Sequence, residues 1–197
     1  MQHVRQSDTG LSSRGGDLSQ LSETRHPTVM SPALVAKHWT VAHTRPRAEK
    51  RLADHCERLN IAYRLPLRRS VRRYAGQTVV FKCPMFPGYV FLESEVNEAQ
   101  PLFATGHLAR LLSVQTFQAL ELEQQLNSIE TALSQDLDLE FCPEIRSGIQ
   151  VRIRYGVLRG TLAWIQERRG QTEVILRIDF IGQAAVLRLE ADALEPV

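Results

Sequence analysis

The residues of this chain that could do chemistry fall into three groups, and none of them makes a catalytic set. Cys56, Cys83 and Cys142 are odd in number and widely spaced, with no CxxC and no paired histidine spacing. They offer no zinc site and suit a reducing cytosol. The six histidines are scattered, no glycine-rich phosphate loop is present, and no acid pair is suggested by strand or helix spacing. No enzymatic activity, cofactor or metal is therefore expected. Positive charge, by contrast, is concentrated. Arg47, Arg51 and His55 recur at i, i+4 and i+8, which on a helix makes one stripe opposite Ala48, Leu52 and Leu59, and Arg45 extends it at the helix entrance. Arg68, Arg69, Arg72 and Arg73 place four arginines within six residues, just before Gly76. Guanidinium groups neutralise phosphates and stack on unpaired bases. A solvated helix face, or a hairpin edge charged against sheet-to-sheet aggregation, leaves the same pattern. The third group is aromatic. Tyr89 and Phe91 alternate along a predicted strand and so share a face, with Val90 and Leu92 on the other and Phe86 at the strand entrance. Such a pair is either core or an exposed contact surface.

These groups sit in a chain whose net charge of +2 conceals a strong asymmetry. Lys37 to Phe117 carries 13 Lys and Arg against 6 Asp and Glu, about +7, whereas Gln118 to Cys142 carries 6 acids and no Lys or Arg. A basic first half points to a polyanionic partner. The 43 % hydrophobic content is a globular value, and no apolar run approaches the length of a membrane span. The start of the sequence has no basic cluster followed by an apolar stretch, so a cytoplasmic protein is expected.

The elements that must position the charged and aromatic groups can be read from period and turn chemistry. Residues 1–36 are rich in Ser, Gly, Thr and Gln and are expected to be disordered, with Met30 a candidate natural start. A strand is predicted at Trp39–His43, followed by a helix with Pro46 in its first turn and running to Asn60. Ile61–Leu67 is a short β-like run. Arg68–Tyr74, the turn Ala75-Gly76-Gln77 and Thr78–Lys82 read as a hairpin. Phe86–Leu92 is a strand entered through Pro-Gly, Asn97–Phe103 a short helix capped by Asn97, Ala109–Val114 a strand and Ala119–Leu133 an amphipathic helix. Residues 37–133 thus form an α+β domain. Residues 134–147 are acidic, aperiodic and contain Pro143, which predicts a flexible linker. In 148–197, Ile149–Arg154, Gly160–Gln166, Thr172–Ile178 and Ala184–Leu189 are β-branched runs between Gly-bearing turns, which predicts a small barrel.

Two motifs carry a resemblance. Trp39-Thr-Val-Ala-His-Thr-Arg-Pro-Arg-Ala-Glu49, followed after the basic hairpin by Phe86-Pro87-Gly88-Tyr89-Val90-Phe91, resembles the N-terminal domain of the NusG family of transcription elongation factors. Gly148-Ile-Gln-Val-Arg-Ile-Arg-Tyr-Gly-Val-Leu-Arg-Gly160 resembles a KOW motif, in which glycines permit tight turns in a small SH3-like barrel. The long N-terminal tail and Thr44–Lys50 are similar to the specialised RfaH-like paralogues. The resemblance implies that Phe86, Tyr89 and Phe91 form an exposed patch for the clamp helices of the largest RNA polymerase subunit. It implies that Arg45, Arg47, Arg51 and His55 touch non-template DNA, and that Arg68, Arg69, Arg72 and Arg73 touch upstream DNA. Phe180 and Ile181 are implied to meet a partner of the KOW domain, a small-subunit ribosomal protein. Because Ile181 stands where the housekeeping members carry an aromatic, Rho recruitment is not expected. The factor would act as a monomer, off the membrane, by suppressing pausing and promoting antitermination. The rival reading is a ribosome-associated RNA-binding KOW protein.

Overall fold

A computed structural model describes residues 38–143, 148–168 and 171–197. The disorder expected for residues 1–36, and the part of the expected linker at 144–147, lie outside the described residues.

The first half is an α+β domain. Its elements are β1 (Thr40–Thr44), α1 (Glu49–Arg58), β2 (Tyr63–Arg64), β3 (Leu67–Tyr74), β4 (Gln77–Pro84), β5 (Tyr89–Leu92), α2 (Val96–Ala99), β6 (Leu108–Ser113) and α3 (Thr116–Ser134). The main sheet is antiparallel in the order β2-β5-β1-β6. Strand alternation sorts its apolar residues between two cores. Ala42, Val90 and Leu92 cluster with Leu52 and Cys56 of α1 and with Leu102 and Leu108. Val41 and Phe91, opposite each other in the register, join the cluster that holds Leu122, Leu126 and Ile129 of α3. Those positions recur at helical spacing along α3, so one stripe of it is buried. Helices therefore cover both faces of the sheet.

Each of α1, α2 and α3 departs from the boundaries expected from sequence, α3 by beginning at Thr116 in place of Ala119. The first helix begins at Glu49, not at Pro46, because Arg45 to Arg47 form a turn in which Arg47 is left-handed, at φ 60°. The Arg45 N–H donates to the His107 carbonyl at 2.8 Å and the Ala48 N–H to the Arg45 carbonyl at 3.1 Å. The predicted helix at Asn97–Phe103 is a single α turn continued by a 3-10 turn, Gln100–Thr105. Pro101 has no N–H to continue the α ladder. The cap is Glu95 in place of Asn97: its side chain and that of Glu98 each accept the other's backbone N–H.

Among the described residues, the strands β3 and β4 leave the main sheet and pair only with each other, in register from Leu67↔Pro84 to Tyr74↔Gln77. Their two-residue turn, Ala75 at φ 45° and Gly76 at φ 82°, has the left-handed geometry whose twist matches the flanking strands.

The second half is all-β: β7 (Glu140–Cys142), β8 (Ile149–Ile153), β9 (Leu162–Arg168), β10 (Gln171–Ile178), β11 (Gln183–Arg188) and β12 (Leu194–Pro196). They form one antiparallel sheet in the order β12-β8-β9-β10-β11-β7. The four predicted strands are present. Two more were not read from sequence, and β7 lies inside the stretch expected to be linker, where Cys142 pairs with Ala184 and is buried. Alternate residues, among them Val151, Ile153, Val174, Leu176, Ile178 and Leu187, fill its interior. That interior is continuous with the α3 side of the first domain. The contact is made by α3 against β10 and the 3-10 turn Asp179–Ile181. Here the Gln125 side chain donates to Asp179 Oδ2 at 2.6 Å and accepts the Asp179 N–H at 3.1 Å.

Candidate nucleic-acid interface

The turn at Pro87-Gly88 is built by groups distant in sequence. Gly88 takes φ 90°, a conformation other residues adopt only with strain. Its N–H donates to Glu49 Oε1 at 2.7 Å, and its carbonyl accepts the Thr44 N–H at 2.8 Å. Glu49 is a buried carboxylate at the start of α1, and the sequence did not mark it as part of this turn. The turn delivers three aromatics to different environments. Phe86 and Phe91 are 1 % and 0 % exposed and meet edge-on at 6.2 Å. Only Tyr89 is half-buried, with its ring 5.2 Å from that of His43, its neighbour across the strand pair. The expected exposed patch is thus corrected: Phe86 and Phe91 are core, because α3 covers the face they share, and Tyr89 alone retains a surface.

The basic groups also separate. Arg45 and Arg47 lie exposed in the turn before α1, so the expected three-residue stripe reduces on the helix to Arg51 and His55. His55 packs beside His107, ring centroids 5.4 Å apart. Desolvation, then Arg58 and His107, lower its pKa against a weaker opposing pull from Asp54. The imidazole is therefore mainly neutral at pH 7, a hydrogen-bonding group more than a phosphate cation.

The hairpin holds Arg68, Arg69, Arg72 and Arg73 as expected, and adds what the arginine count alone did not reveal. From Leu67 to Pro84 there are five Lys and Arg and no acid, Lys82 being the fifth. Val71, Tyr74, Val79, Val80 and Phe81 are exposed among them. Arg69 reaches Asp136 at 3.3 Å, with both side chains well exposed, a pair of small energetic weight. Arg68 lies at the hairpin base with its Nε buried and without a hydrogen-bond partner. The pKa of Arg72 is raised, first of all by its hydrogen bond to the Tyr74 side chain. The strand alternation of aromatic and basic residues in 68–81 was the signal available in sequence.

The predicted partner residues Phe180 and Ile181 are half-buried in the turn that packs against α3. Beside this contact lies an open cleft of about 590 Å³, whose lining includes Gln124, Ser128, Arg152, Trp164 and Arg177. A further group not foreseen is Arg64. It reaches Glu93 at 2.9 Å, Glu130 at 3.3 Å and Glu123 at 3.6 Å, and its guanidinium lies 5.2 Å from the Trp39 ring centroid. This cluster fastens α3 to the sheet. Burial pushes the Cys56 thiol up to about 11, so it is not a nucleophile at neutral pH. Among the described residues, no group of three or more His, Cys, Asp or Glu is arranged to hold a metal ion, and no helix is long and apolar enough to cross a membrane.

Residues 37–133 match the family model described as transcription termination factor nusG. Among curated proteins none matches this chain. Among solved structures, NusG of Thermotoga maritima, from work on its domain interaction, is similar at 17 % identity and a TM-score of 0.46, covering 82 % of this chain and 97 % of that one. Residues 37–133, with their antiparallel sheet, its two covering helices and the Pro-Gly turn, are therefore a domain of the NusG family.

Proposed function

We propose that this transcription factor is an elongation and antitermination factor that acts without catalysis, by binding RNA polymerase at the clamp and the DNA beside it. The observation that carries this reading is the acid-free basic hairpin standing off a NusG-family domain. Arg68, Arg69, Arg72 and Arg73 contact upstream DNA, and Arg45, Arg47 and Arg51 contact the non-template strand, with His55 as a neutral donor. At the polymerase clamp helices Tyr89 makes the contact, with Phe86 and Phe91 fixing its strand from below. A factor bridging the clamp favours the closed state and shortens pauses by population shift.

The all-β domain recruits a second partner through Phe180 and Ile181, a small-subunit ribosomal protein being the family's candidate. Because both residues pack toward α3, that recruitment requires the domain to leave its present contact. With Ile181 in place of an aromatic, the chain does not stimulate Rho-dependent termination, and an Ile181→Phe variant gains that ability.

The rival, a ribosome-associated RNA-binding protein, places the binding surface in the second domain, yet 143–197 carries 8 Lys and Arg against 7 acids. The test is co-purification of the full chain with core polymerase or with ribosomal subunits, followed by a pausing assay. Polymerase retention that is lost in Tyr89→Ala, with pauses shortened only by the unmodified protein, is the expected result. Retention on ribosomal subunits alone would overturn the proposal.

A further inference from the structure

We propose that the two faces of the β3–β4 hairpin divide nucleic-acid binding between them, the Tyr74–Phe81 face holding unpaired bases of a single strand and the opposite face holding phosphates. This rests on the hairpin's DNA contact proposed above and names the strand state that it takes.

The register fixes which side chains share a face. Ser70 pairs with Phe81, Arg72 with Val79 and Tyr74 with Gln77, so Arg68, Arg72, Tyr74, Val79 and Phe81 project from one side. Arg69, Val71, Arg73, Val80 and Lys82 project from the other. The chemistry of the sides differs. On the first, the rings of Tyr74 and Phe81 are 51 % and 42 % exposed and lie edge-to-face at 6.3 Å. The Arg72–Val79 pair sits between them. The planar guanidinium of Arg72, set between the two rings, can itself stack on a base. The second side presents Arg69, Arg73 and Lys82 with two valines and no ring.

The choice of partner follows from charge and ring chemistry together. With five cations and no acid between Leu67 and Pro84, the ribbon attracts a polyanion and repels a basic surface. A polyphosphate without bases would use the cations and leave the rings in water. Every base has a π-face, so rings interleaved with cations suit a nucleic-acid strand of any sequence. A duplex keeps those π-faces stacked within itself and shows a side chain only base edges in its grooves. Neither Phe81 nor Val79 on this face has a group that could hydrogen-bond a base edge. Unpaired bases are therefore the fitting partner of this face. Eight residues per strand give a ribbon about 27 Å long at 3.4 Å per residue, enough for several nucleotides.

The test uses the full chain and fluorescence anisotropy with a labelled oligothymidine and a duplex of equal length, each over a salt series. Tyr74→Leu with Phe81→Leu keeps apolar area but removes the flat rings. It should weaken oligothymidine binding at least about fivefold for each ring and leave duplex binding within about twofold, with an unchanged salt slope. Arg69→Gln with Arg73→Gln and Lys82→Gln should weaken both and make the single-strand slope shallower by about 0.7 per lost contact. Phe81→Trp, which keeps a ring, should hold oligothymidine at least as tightly as the unmodified protein. Equal loss on both probes in the leucine variant, no loss on either, or weaker binding by Phe81→Trp would each overturn the division of faces. In those cases an effect of the charge variant still leaves the hairpin's DNA contact standing. If the charge variant also changes neither affinity nor slope, the DNA contact falls together with the proposal.

Discussion

The burial of Phe91 makes a prediction that separates it from Tyr89, two positions away on the same strand face. Phe91 is 0 % exposed, lies opposite Val41 and meets Phe86 edge-on at 6.2 Å. Phe91→Ala removes a whole ring from a filled site, a change that costs about 3 to 5 kcal/mol when the neighbours cannot collapse into the space. An aromatic pair of this geometry adds about 0.5 to 1.5 kcal/mol beyond area, which places the expected value in the upper part of that range. Domains of this kind have roughly 5 to 15 kcal/mol in total, so the variant should remain folded at 25 °C but with a large fraction of its stability gone. At about 2 to 4 °C per kcal/mol for a chain of this size, Tm should fall by roughly 8 to 20 °C. Tyr89→Ala, which removes a half-exposed ring, should lose no more than about 1 to 2 kcal/mol while abolishing polymerase retention. The assay is urea unfolding of both variants followed by circular dichroism, with polymerase pull-down on the folded protein. A Phe91→Ala protein as stable as the unmodified one, yet unable to bind polymerase, would refute the reasoning: the ring would then be a contact surface that α3 does not cover in solution.

Arg64→Met should destabilise the chain by about 1 to 3 kcal/mol at pH 7, because it removes the cation that the partly exposed Glu93, Glu123 and Glu130 share. Burial already raises the Glu130 pKa against the pull of Arg64. A raised carboxyl pKa gives stability present below the ordinary carboxylate value and lost as pH rises through the folded value. The variant's deficit, measured by urea unfolding, should therefore shrink as pH is lowered toward about 4.5; a deficit independent of pH contradicts the electrostatic account. Ala75→Asn should relieve the left-handed strain at φ 45° and stabilise the hairpin by about 1 kcal/mol, seen as slower amide exchange in β3 and β4 with no change in global unfolding. Gln125→Ala removes both bonds to Asp179, and at about 1 to 3 kcal/mol should loosen the second domain from α3. Faster amide exchange at Asp179–Ile181 would report it, whereas unchanged exchange would mean that the apolar contact alone holds the domains together.

Local pattern settles which residues alternate, where turns fall and how charge is distributed, and those features carried most of the first domain. The paired hairpin with its Ala75-Gly76 turn, the Pro-Gly entry to β5 and the helical stripe of α3 were legible because each depends on neighbours within a few residues. The same is true of the basic character of Leu67–Pro84. What sequence could not settle was what lies on the far side of each face. Tyr89 and Phe91 share a strand face by periodicity, but only the return of α3, with Leu122, Leu126 and Ile129, decides that Phe91 is core. The start of α1 depended on the His107 carbonyl, which holds the Arg45 N–H from more than sixty residues away, and Glu49 acquires its role only when the Gly88 turn arrives beside it. Arg64 reads as one more basic residue until β5 and α3 bring three carboxylates and the Trp39 ring around it. β7 was hidden because a three-residue strand at the edge of a sheet is specified by its partner, here β11, and not by its own propensity. Periodicity reports a face, while burial and charge pairing depend on contacts between residues far apart in the chain, and those are fixed only when the elements pack.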